Sequence, residues 1–154
     1  MTNALANSII LGGPNGQREE FIAASGTAIK PGMLLRRTTA EPTSQCNVHN
    51  VSGGTGPTWI ALEDDYQGDT VQSGSGGTGR TYTVGDPVFA ECAIPGAKRY
   101  MLLLASENVA INDLLISNGA GKLIKTTGTP LKYFAVAEES SNTGTDQLIK
   151  VRIL

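Results

Sequence analysis

Ile29-Lys30-Pro31-Gly32-Met33-Leu34-Leu35 is a tight polar turn feeding directly into an apolar run, and the chain uses that phrase three times. Thr83-Val84-Gly85-Asp86-Pro87-Val88-Phe89 and Ala110-Ile111-Asn112-Asp113-Leu114-Leu115-Ile116 repeat it. Pro fixes φ, while Gly and Asn tolerate unusual φ, so each turn aims the strand that follows sharply back. The unequal spacing of the three copies excludes a solenoid or a propeller. The pattern predicts a compact barrel with recurrent corners.

Working outward, the rest of the chain reads as short apolar runs cut by turn residues, the signature of many short strands. Strands are predicted at 20–24, 27–30, 33–37, 46–51, 59–62, 80–84, 88–94, 99–104, 114–117, 122–125, 133–137 and 148–154. Asn118-Gly119-Ala120-Gly121 lies between two of these and is a hairpin signal, because Asn-Gly accommodates positive φ. Leu103 to Asn108 is the best helical candidate and is too short to stand alone. Gln72 to Gly79 has no apolar residue and four glycines, which predicts an exposed loop. Residues 1–18 are polar and Gly-rich and form a predicted N-terminal arm, leaving 19–154 as a single β-barrel domain.

Composition agrees. Of 154 residues, 40% are hydrophobic and 17% charged, with 19 Gly. That is a globular chain, and its low charge suits strands and turns better than exposed helices. The net charge of −2 comes without any concentrated Lys/Arg patch, which argues against nucleic acid as a partner. The N-terminus lacks a basic n-region and no apolar stretch is long enough to span a bilayer, so synthesis in a cytoplasm and no membrane partner are expected.

Little in the sequence suggests catalysis, so the chain is expected not to be an enzyme and to use no cofactor. The one His, His49, lies three residues from Cys46, a separation that points side chains to opposite faces of a strand; a surface or loop position is expected for it. Cys46 and Cys92 are expected to be reduced or simply buried. Glu63-Asp64-Asp65 is the densest acidic cluster, but it lacks the alternating spacing of a calcium loop and reads as a solvated strand end. The Gly-rich stretches match neither phosphate-loop pattern. Trp59, Phe89, Tyr100 and Phe134 sit within apolar runs and are expected in the core, while a solvent-facing Trp59 or Tyr66 would favour glycan stacking. Ile9-Ile10-Leu11 could add a strand to a partner's sheet, making these three the candidate contact with a capsid or a neighbouring protomer.

The three turn-strand phrases resemble the head decoration (capsid cement) proteins of tailed bacteriophages. Leu104-Ala105-Ser106-Glu107-Asn108, Gly119-Ala120-Gly121-Lys122-Leu123 and Phe134-Ala135-Val136-Ala137-Glu138-Glu139 extend the resemblance, in order, from about Ile29 to Glu139. Asn112 departs from it, standing where Gly is usual before Asp113, and QSGSGGTG looks like an insertion. The resemblance implies a small β-barrel or β-tulip domain of short antiparallel strands. It also implies a homotrimer on the outer surface of an expanded icosahedral head, stabilising it by bridging neighbouring major capsid subunits. The alternative is another virion surface protein, such as a head-fibre base or a glycan-binding adhesin.

Overall fold

In the computed structural model, which describes residues 9–24, 28–39, 44–53, 58–63, 81–129 and 133–154, all three phrases fold into one kind of turn. Gly32, Gly85 and Asn112 take φ of 83°, 88° and 74°. Each turn is closed by an i+3 to i hydrogen bond, from Met33 N–H to Lys30 O, Asp86 N–H to Thr83 O and Asp113 N–H to Ala110 O. This is the type II pattern, in which the third residue needs positive φ. Asn112 meets that need without being glycine, because Asn tolerates the left-handed region better than most side chains. The residue after it steadies each turn. Asp86 Oδ2 accepts from Thr83 N–H, Asp113 Oδ2 accepts from Ala110 N–H, and in the first copy Met33 Sδ takes the same place against Lys30 N–H. Two further turns share the geometry, at Pro95-Gly96 and, in place of the helical candidate, at Ala105-Ser106.

Each turn also clasps a neighbouring strand. Gly32 N–H donates to Ala61 O while Ala61 N–H donates to Met33 O; Gly85 and Asp86 hold Ala23 in the same way, and Asn112 and Asp113 hold Ala137. The three clasped alanines are buried, at 4% exposure or less. A methyl group fits beneath a turn that lies this close, which gives the alternating small residues of these strands a packing reason.

Thirteen strands are present among the described residues: β1 Ile10–Gly12, β2 Arg18–Ala23, β3 Leu34–Arg37, β4 Gln45–Val48, β5 Trp59–Ala61, β6 Pro87–Cys92, β7 Lys98–Leu103, β8 Asn108–Val109, β9 Leu114–Ser117, β10 Leu123–Lys125, β11 Ala135–Ala137, β12 Ser141–Asn142 and β13 Gln147–Ile153. No helix occurs among those residues. The all-β expectation holds, and the predicted 27–30 and 80–84 strands contribute a single bridge, Ile29 to Tyr82.

The strands close two rings. β2-β4-β3-β5-β6 forms one barrel. In the other half, β7-β10-β9-β11-β13 closes because β13 pairs along the full length of β7. The expected 19–154 domain thus contains two five-stranded rings, whose buried residues form one hydrophobic cluster. The expectation of antiparallel strands holds for every pairing in the rings but two, and parity is the reason for those two. An odd number of strands cannot close with every neighbour antiparallel. Each ring therefore contains one parallel contact, β2 with β4 (Ile22 with Gln45) and β10 with β7 (Leu123 with Leu103).

The rings meet through backbone. The Asn118–Gly121 hairpin forms as expected, with Asn118 Oδ1 accepting from Ala120 and Lys122 N–H, and it reaches into the other ring. Leu34 N–H donates to Gly121 O, and Gly121 N–H donates to His49 O, so Gly121 is spliced into the β3–β4 ladder beyond the Leu35–Val48 pair. A Cβ at Gly121 would lie 3.1 Å from Val48 Cβ and 3.2 Å from Leu34 O. On the far side Leu102 N–H donates to Gly32 O.

Candidate attachment surfaces

Ile9, Ile10 and Leu11 lie where the chain crosses from one ring to the other. Ile9 is fully buried; its carbonyl accepts from Tyr100 N–H and its N–H donates to Glu63 Oε2 at 3.1 Å. Ile10 is half-buried, and β1 pairs with β7 of its own chain, Ile10 opposite Arg99 and Gly12 opposite Lys98. The register slips between those pairs, and Leu11 sits in the irregularity with its side chain 40% exposed. Of the three, Leu11 is the one with substantial surface to offer.

Behind β1 stands a buried ion pair. Arg99 Nε and Nη2 donate to Glu91 Oε2 and Oε1 at 2.7 and 2.8 Å, with both side chains 1% exposed. Arg99 also donates to the carbonyls of Gly12, Lys98 and Pro14, and Glu91 Oε1 accepts from Gly16 N–H at 2.6 Å. A planar guanidinium with five donors suits such a set, and every donor used offsets part of the desolvation cost. The pair joins β6 of one ring to β7 of the other and holds the segment leading out of β1.

The remaining candidates do not converge. His49 is buried, not on the surface as expected, and its Nδ1 lies 3.0 Å from Ser117 Oγ. Burial and, secondarily, the charge of Arg36 hold the imidazole below its ordinary pKa. Cys46 and Cys92 are unpaired, and burial pushes the Cys46 thiol up to about 12, where it is inert as a nucleophile. Trp59 is buried, edge-on to Phe21 at 5.0 Å, with the Arg37 guanidinium stacked over both rings. It offers no stacking face to a glycan. Asp64, Asp65 and Tyr66 lie outside the described residues. Among the described residues no three His, Cys, Asp or Glu side chains gather as a metal site would require, and no helix is long and apolar enough to cross a membrane.

Two of the exposed large apolar side chains belong to the turns. Val84 and Ile111, the second residues of two of the type II turns, are 66% and 58% exposed. The sequence presents both inside turn-strand phrases, where Val84 reads as the end of the predicted 80–84 strand and Ile111 as part of the turn. The turn alone does not set their exposure, because Pro31, the second residue of the first turn, is buried.

No protein-family model matches the chain, and no curated protein does. A solved structure does: the N base of the head fibre gp8.5 of bacteriophage phi29. Its TM-score is 0.56 at 17% sequence identity, over 90% of this chain and 95% of the other. The two chains share a fold over most of their lengths.

Proposed function

We propose that this protein is a structural component of a phage particle that sits on the head as a base domain, in the manner of a head-fibre base. The observation that carries the reading is the match with the phi29 head-fibre base, which spans 90% of this chain and 95% of the other. The surface agrees with a docking role that asks for no catalysis. Corner residues Val84 and Ile111 and the bulged Leu11 present apolar side chains on a rigid scaffold, and such side chains gain from being covered.

A second reading, the cement role, is supported by the resemblance from Ile29 to Glu139. It adds trimer formation and the bridging of major capsid subunits.

Co-sedimentation with expanded and unexpanded shells of the major capsid protein from the same genome tests both. Saturable binding in a fixed ratio to capsid subunits is expected, and Leu11→Asp should weaken it if β1 touches the shell. Heating the loaded shells then separates the readings: a cement protein raises the temperature at which the shell breaks, and a fibre base leaves it unchanged. Absence of binding to both shell forms would overturn the head assignment.

A further inference from the structure

At one end of the second ring, β8 and β12 pair as a two-stranded ribbon, Asn142 opposite Asn108 and Ser141 opposite Val109. Beside it is an open cleft of about 390 Å³ lined by these residues together with Ser140, Thr143 and Gln147. Apart from Val109, every lining side chain is a neutral hydrogen-bonding group. We infer that this cleft binds a neutral carbohydrate.

The chemistry follows from the arrangement of amides. Asn108 and Asn142 are exposed cross-strand partners, so their side chains leave one face from Cβ atoms about 5 Å apart. Ser141 Oγ donates to Gln147 Oε1 at 2.8 Å, which commits that carbonyl and leaves the two N–H donors of Gln147 for a ligand. Each carboxamide presents an acceptor and a donor side by side, the complement of two adjacent sugar hydroxyls. Flanking carboxylates are engaged elsewhere. Asp146 accepts from Ala105 N–H and pairs with Lys122, Glu107 accepts from Lys125 N–H, and Glu139 accepts from Lys150 N–H. The cleft therefore provides no counter-charge for an ionic ligand. A peptide laid along the ribbon is the rival occupant, but two-residue strands offer too little edge for strand addition. With no aromatic ring among the lining residues to stack on, affinity at one site is set by hydrogen bonds alone and belongs in the millimolar range. Many copies on one particle would raise it through avidity, a step that rests on the virion reading.

The isolated ¹⁵N-labelled chain tests the site without any shell. It is titrated with maltose, methyl galactoside, N-acetylglucosamine, sialyllactose and N-acetylglycine methylamide, following ¹H–¹⁵N correlations. Saturable shifts at the side-chain amides of Asn108, Asn142 and Gln147 are expected with at least one of the three neutral sugars. Asn108→Ala and Asn142→Ala, both at exposed positions, should each weaken that binding about tenfold while leaving distant resonances in place. No saturable shift with any neutral sugar, tighter binding of sialyllactose or of the methylamide, or shifts that survive both substitutions would overturn the inference.

Discussion

His49 shows how a single residue can report on the state of the whole junction. Its imidazole is packed against Ser117, and its carbonyl accepts from Gly121 N–H of the inserted hairpin. Because burial and Arg36 lower its pKa from 6.5, the unfolded chain takes up a proton more readily than the folded one. Its contribution to stability is then complete above about pH 6.5 and declines as the pH falls below that value. Urea midpoints measured on either side of that value should drop toward acid, and His49→Gln should flatten the dependence. As the sole histidine, His49 is the side chain that titrates in this window. Asp113, held below its usual 3.8 chiefly by hydrogen bonds from Lys125 and Ala110 N–H, acts at lower pH: its contribution is present above that value and is lost as the pH falls through the lowered one. An unchanged slope in His49→Gln would mean that the acid sensitivity arises elsewhere.

At the scale of the element, the type II turn is the unit from which the fold is assembled, and its surroundings decide what a substitution costs. Gly85 and Gly32 have nearly the same positive φ. A Cβ at Gly85 meets nothing within 4 Å, whereas one at Gly32 would lie 2.5 Å from Leu148 Cδ2 and 3.2 Å from Leu102 N. Gly85→Ala isolates the backbone cost and should destabilise by about 1 kcal/mol. Gly32→Ala adds a clash across the ring junction and should cost about 2–4 kcal/mol. Chemical denaturation of the two variants checks the difference, and equal losses would show that the junction yields easily. The clasp on Ala23, Ala61 and Ala137 makes the same point in reverse, since each turn is held by a strand remote in sequence.

For the whole molecule the question is whether two rings behave as one body. They share a hydrophobic cluster, an inserted hairpin and the Glu91–Arg99 pair, which predicts one cooperative transition. Trp59 fluorescence reports the first ring and far-UV circular dichroism reports both, so their unfolding curves should coincide. Arg99→Met leaves the Glu91 carboxylate buried without its counter-charge and should cost about 3–5 kcal/mol, with both probes shifting together. Trp59 unfolding separately from the circular dichroism signal would show two independent barrels.

The chain's residues alone determined the corners and most of the strands, because Pro-Gly, Gly-Asp and Asn-Asp either fix φ or tolerate positive φ and apolar runs between them need no distant partner to be extended. They also made Asn118–Gly121 a hairpin. Ring closure was decided in three dimensions, since the parallel contacts that five strands require join segments whose direction no local pattern records. The same holds for the buried polar groups. Lys98-Arg99 reads as a charged pair, yet successive strand residues face opposite sides; Lys98 stays exposed, while Arg99 is buried because Glu91 and three carbonyls meet it there. His49 finds Ser117 across 68 positions. The Asn108–Asn142 cleft was illegible for a related reason: Ser140 to Thr143 carry the composition of a loop, and only pairing with β8 sets Asn142 beside Asn108.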